Sequence, residues 1–155
     1  MTQPLGQGSC TWARTTRLAE IEWGMSRKKL IAMFESTRVL PRHEARNPRT
    51  GEPVVVPESV ALPSLPPPIP DLPVYPFVTF GADEQLASIL LTSPYPRPAA
   101  ATDEVLLRAA NKVLAALGAE PVTSLPTRPM TWKRKTTTVE FACDDEGFRF
   151  DLSHA

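Results

Sequence analysis

The order of apolar and polar positions divides the chain into segments of different period. Over 15–23, TTRLAEIEW, Leu18, Ile21 and Trp23 fall toward one side while Arg17, Glu20 and Glu22 point away, which predicts a short helix. Gly24 to Ser26 reads as a turn, and Ser26 is placed to cap a second helix over 27–36. There Leu30, Ile31, Met33 and Phe34 recur at the spacing of a buried stripe. The next stretch, RVLPRHEARNPRTGEPVVVP (38–57), predicts strand, polar tip and strand. Pro48 fixes φ at the tip and Gly51 is free to take positive φ.

Residues 57–76, PESVALPSLPPPIPDLPVYP, break every period. Eight of the twenty are proline, so missing N–H groups and fixed φ argue against a helix or a central strand. An extended arm is expected, reaching roughly 60 Å at about 3.1 Å per residue if fully stretched. Its valines, leucines and isoleucine are too apolar for a solvated spacer, so it should lie along its own fold or along a partner.

Beyond it, VYPFVTF (74–80) is β-branched and aromatic and predicts a strand. ADEQLASILLTS (82–93) reads as a helix with acidic residues in its first turn. TDEVLLRAANKVLAALG (102–118) has Thr102 as cap, Asp103 and Glu104 at the positive end of the dipole, and Gly118 as terminator. TTTVEFAC and FRFDL, joined by DDEG, predict a terminal hairpin with Phe141, Phe148 and Phe150 for the core. The expected architecture is α+β: a tail at 1–10, a small helix-turn-helix with a β-hairpin wing or arm at 11–57, a Pro-rich extended segment at 58–73, and a compact α+β unit at 74–155.

Composition narrows the function classes. An apolar fraction of 42% supports a core, and no apolar run is long enough to span a bilayer. The opening MTQPLGQGSC has neither a charged leader nor an apolar stretch, so a cytoplasmic chain is expected, or one in a phage particle assembled there. Cys10 and Cys143 are expected as reduced thiols. Neither His43 nor His154 stands at metal-ligand spacing from a cysteine, so no metal or other cofactor is expected. The formal net charge is zero, yet residues 1–60 carry nine Lys/Arg against six Asp/Glu and residues 61–125 three against six. That balance excludes a nonspecific coat on nucleic acid and leaves room for a basic module at one end.

Catalytic patterns are missing: no Gly-rich phosphate loop, no nucleophile elbow, and a CDDEG cluster that lacks the alternating spacing of a calcium loop and reads as a polar turn. A non-enzyme is expected. Candidate chemistry lies instead in cations. Arg27, Lys28 and Lys29 occupy the first turn of the second helix, where the dipole disfavours cations but free N–H groups attract phosphate. Helix-turn-helix proteins insert that turn into the major groove. On the hairpin, Arg38, Arg42, His43, Arg46 and Arg49 lie within reach of a phosphate backbone, and a proline at a cationic tip is the wedge that minor-groove benders use.

RNPRTGEPVVVP (46–57) resembles the arm tip of the HU/IHF family of nucleoid proteins, which shows an Arg-Asn-Pro-x-Thr-Gly-Glu run followed by β-branched residues and a proline. The resemblance implies that Arg46, Asn47, Pro48 and Arg49 form a DNA-contacting tip with Pro48 intercalating. It covers about a tenth of the chain; the family's helical dimerisation body and closing basic helix have no counterpart here.

Two functions follow as expectations. One is a noncatalytic DNA-binding protein using Arg27, Lys28, Lys29, Arg38, Arg42, Arg46, Asn47, Pro48 and Arg49. With about six phosphate contacts its log K should fall with log salt at a slope near −5. The other is a structural subunit of a homo-oligomer or larger assembly such as a phage particle, with the Pro-rich segment as the subunit-binding arm.

Overall fold

A computed structural model describes residues 21–154 other than 35, 48–49, 64 and 70–71, with 65–69 as backbone. Its architecture is mostly β, and this overturns the α+β expectation. Seven strands form one antiparallel sheet in the order β1 (Arg38–Leu40), β4 (Ser59–Ala61), β6 (Leu72–Phe80), β7 (Leu86–Thr92), β10 (Gly147–His154), β9 (Thr137–Asp144) and β8 (Met130–Arg134). β5 (Leu65–Ile69) pairs with β6 off that path, while β2 (His43–Arg46) and β3 (Pro53–Val56) form a separate two-stranded ribbon. Two helices are described, α1 (Arg27–Ala32) and α2 (Asp103–Ala116).

The sheet follows from period-2 patterning in its central strands. Val139 and Phe141 of β9, Phe148, Phe150 and Leu152 of β10, and Ile89 and Leu91 of β7 are buried on one face. The Phe141 and Phe150 rings stack at 4.4 Å, and Phe148 meets Phe150 edge-on at 5.6 Å. α2 lies on this face with Leu106, Ala109, Ala110, Val113 and Leu114 buried. Its ends are those its sequence predicts. The Thr102 hydroxyl accepts from Val105 N, and Gly118 (φ +76°) closes a Schellman motif in which Ala119 N donates to Leu114 O and Gly118 N to Ala115 O.

Four expectations are corrected. Residues 15–20 of the first predicted helix lie outside the described residues, and 21–26 are not helical: Gly24 turns the chain at φ +82°. Ile21 and Trp23 are nevertheless core residues, and Trp23 Nε1 donates to Thr137 Oγ1 at 2.8 Å across the end of the β9–β10 hairpin. The second helix is real and capped by Ser26, but it is six residues long and leans on the β6–β7 turn through Leu86 N to Met25 O and Arg27 N to Glu84 O. Among the described residues there is no helix-turn-helix.

The segment predicted as a helix over 82–93 is instead the β6–β7 turn and strand β7. Asp83 accepts from Gln85 N at 3.1 Å, so the acidic residues build a turn and not a helix start. Leu86, Ile89 and Leu90 stand at helical spacing, but pairing on both sides with β6 and β10 decides for the strand. The Pro-rich segment is extended and lies along its own chain, one of the two expected placements: β4 and β5 run in succession along β6, with a register shift in the β5–β6 pairing between Leu65 and Ile69, and β5 lies beside α2. β6 is interior to the sheet and contains Pro73 and Pro76, against the expectation that this stretch cannot supply a central strand. Pro76 is tolerated because its carbonyl, which accepts from Leu62 N, points toward β4. Its missing N–H therefore faces the gap where β4 gives way to β5.

Gly147 opens β10 at φ +141°, and a Cβ there would collide with the hydroxyl of buried Ser93. That hydroxyl accepts from Phe148 N at 3.0 Å and donates to Phe148 O at 3.3 Å. Gly147→Ala should therefore cost about 3 kcal/mol, backbone strain and the displaced hydroxyl together. Urea unfolding followed by tryptophan fluorescence measures it, and a loss below about 1 kcal/mol would show that the turn relaxes freely.

Candidate functional site

The ribbon β2–β3 is built from a tight tip and two alternating strands. Its register pairs His43 with Val56, Glu44 with Val55, Ala45 with Val54 and Arg46 with Pro53. At the tip Gly51 N donates to Asn47 O and Asn47 N to Glu52 O, both at 2.8 Å, and Gly51 takes φ +71°. Asn47 Oδ1 accepts from Thr50 N at 3.4 Å, and Arg46 Nη1 donates to Gly51 O at 2.8 Å. None of the described residues from 41 to 58 is buried. One face of the ribbon carries His43, Ala45, Val54 and Val56; the other carries Glu44, Arg46, Pro53 and Val55. Val54 and Val55 are 44% and 52% exposed, so neither face is a core face. The strand–tip–strand pattern read from the sequence is present, as an arm standing off the sheet.

The predicted cations are distributed over this arm and its root. Arg27 is committed internally: Nη1 lies 3.0 Å from Glu58 Oε1 and 3.6 Å from Glu84 Oε2, with the guanidinium 5.5 Å from the Phe80 ring centroid. It fastens α1 and the β6–β7 turn to the root of the arm at Glu58. Lys28 and Lys29 are exposed on α1. Arg38 is exposed on the edge strand β1, and Arg42 is exposed between β1 and β2. His43 Nδ1 is 2.9 Å from Pro41 O. Arg46 and Asn47 sit at the tip; Pro48 and Arg49 lie outside the described residues. The structure thus groups Arg42, His43, Arg46 and Asn47 on one arm, with Glu44 and Glu52 among them, and removes Arg27 from the set.

The CDDEG cluster serves the β9–β10 turn. Asp144 Oδ1 accepts from Glu146 N at 2.8 Å, Glu146 accepts from Arg97 N, and Arg97 also donates to Asp145 O and Asp103 Oδ1. Burial and the Asp144 charge push the half-buried Cys143 thiol up. Among the described residues no cluster of His, Cys, Asp or Glu could hold a metal ion, and no helix is long and apolar enough to cross a membrane.

Sequence reasoning missed one feature. Between the C-terminal end of α2 and β8 lies a groove of about 410 Å³ lined by Leu114, Ala119, Val122, Met130 and Trp132, with Lys133 and Arg134 at its rim. Only the alternation of Met130 and Trp132 hints at it, and β8 had no predicted place in a sheet. No family model matches the chain, and no curated protein or solved structure matches it either.

On the sheet's other face Asp151 stands opposite Glu140, which pairs at 3.8 Å with Arg149. Partial burial and then the Glu140 charge push the Asp151 carboxyl up, with Arg149 pulling the other way. A raised acid binds more protons folded than unfolded, so its stabilising effect is full at low pH and is lost as pH rises through the folded value. Asp151→Asn should therefore raise the melting temperature at about pH 7 and leave it unchanged near pH 3. Calorimetry at the two pH values checks the sign.

Proposed function

We propose that this chain is a noncatalytic structural subunit that joins a homo-oligomer or larger assembly, and that its contact element is the β2–β3 arm. The observation that carries this reading is the arm's exposure on both faces, uncovered valines included. An isolated two-stranded ribbon is marginal in water, so an arm of this kind gains its order from what it touches. The arm replaces the Pro-rich segment in that role, because the latter is spent on β6. Light scattering on the full chain should give a mass above 17.0 kDa that rises with concentration. A variant with residues 43–56 replaced by a short turn should return to the single-chain mass. A wild type that is monomeric throughout, or an arm-shortened variant of unchanged mass, would overturn the reading.

DNA binding by the same arm is the second reading. Its support is the cluster of exposed Arg38, Arg42 and Arg46 and the tip's resemblance to the HU/IHF arm. With no helix-turn-helix among the described residues and Arg27 held in ion pairs, about four phosphate contacts are counted, for which log K should fall with log salt at a slope near −3.5. Titrating a labelled duplex at two salt concentrations with wild type and Arg42→Ala/Arg46→Ala measures it. Equal affinity of the two proteins removes the arm from DNA binding.

A further inference from the structure

We infer that the arm of one copy docks at the β8 edge of another, with Val54 and Val56 lowered into the groove beside α2. This rests on the assembly reading above and names the arm's partner surface.

The groove exists because the buried layer stops short of the last strand. Met130 and Trp132 stand opposite Phe141 and Val139 on the core-facing side, yet Met130 is 41% exposed. Leu114, Ala119 and Val122 form the apolar floor. That floor is preformed: the Asn111 side chain accepts from Val122 N at 2.8 Å and donates to Val122 O at 3.0 Å. Arg134 donates to Gly118 O, which fixes the C-terminal end of α2 against β8. Among the described residues β8 has β9 on one side and no strand on the other, so its outer edge is free to take one.

β3 supplies the matching element. Among the described residues its outer edge carries no strand, and the backbone groups facing outward are those of Pro53, Val55 and Pro57, so it offers a partner one N–H, that of Val55, and the contact rests on side chains more than on a ladder. The face bearing Ala45, Val54 and Val56 is apolar and suits the groove, while Glu44, Arg46 and Val55 take the opposite face. Seating the apolar face in the groove leaves the opposite face on the side of the sheet that carries Thr131 and Lys133, with Glu44 and Arg46 on β2, one strand further out. Glu52, just ahead of β3, supplies a carboxylate toward the cationic rim of Lys133 and Arg134.

Distance makes the contact intermolecular. The arm is rooted beside β1, at the opposite end of the seven-strand order from β8, and six inter-strand steps of about 4.8 Å, roughly 29 Å measured along the sheet, lie between the two edges. An arm strand of about five residues reaches only about 17 Å. Arm and groove are therefore different surfaces, and their contact either closes reciprocally in a two-fold dimer or runs head to tail into a ring or a filament.

The experiment is a complementation by sedimentation velocity. Val54→Arg disables the arm and leaves the groove; Met130→Arg fills the groove and leaves the arm. Both positions are exposed, so both variants should fold, which far-UV circular dichroism checks, and Val54→Ser and Met130→Ser provide milder versions. Each arginine variant alone should associate at least about tenfold more weakly than wild type. Mixed, they should form a one-to-one complex that grows no further, since it contains one working arm on one working groove. If Val54→Arg dissociates the assembly while Met130→Arg assembles like wild type, the arm binds elsewhere; the inference then falls and the assembly reading stands. If arm shortening itself leaves the mass unchanged, both fall.

Discussion

Among the described residues one long helix, α2, lies on a sheet of seven strands in sequence across its width. At about 10 Å across, α2 spans two to three strand spacings of about 4.8 Å, and its fourteen residues run about 21 Å. The rest of the buried face has to be closed by other means. Ile21, Trp23, Met25 and Leu30 belong to the same core cluster as the α2 residues, and the Pro-rich β5 lies alongside the helix. This explains why proline-rich chain is held against the fold here, where a solvated spacer would have been free. On the other flank the cover ends before β8, and the groove is the remainder.

The parts of the structure that were legible in the sequence are those fixed locally. α2 has a hydroxyl cap, acidic first turn and terminal glycine, and each does at the backbone what its chemistry dictates. The β9–β10 hairpin and the turn at Asn47–Gly51 are likewise closed by contacts a few residues apart. What was not legible depends on partners far along the chain. Leu86 to Thr92 becomes a strand because β6 and β10 offer it ladders, and Arg27 of α1 is drawn into ion pairs by Glu58 and Glu84, which lie 31 and 57 positions further along the chain. Half of the candidate site was visible as Arg42, Arg46 and Asn47. The uncovered valines were not, since a β-branched run looks the same whether its strand is buried or exposed.

The charge pattern also takes on a different sense once folded. The basic bias of residues 1–60 suggested one cationic surface, but Arg27 is absorbed by Glu58 and Glu84, at surface positions where such pairs contribute about 1 kcal/mol or less. Its value is positional, since it ties the start of β4 to α1 and so sets the direction in which the arm leaves the sheet. The remaining arm cations alternate with Glu44 and Glu52, a mixture suited to registering against another mixed surface more than to tracking a uniform polyanion.

Edge strands invite indiscriminate pairing, and a sheet with two of them needs protection at both ends. Arg38 on β1 and Lys133 with Arg134 on β8 put cations on both edges, so edge-to-edge pairing between like copies brings positive charge against positive charge. The β3 edge is guarded differently: its outward backbone positions are Pro53, Val55 and Pro57, so prolines remove two of three N–H donors, and Glu52 precedes it. In the proposed contact the cations that keep two β8 edges apart face Glu52, so the charges that forbid one pairing favour another.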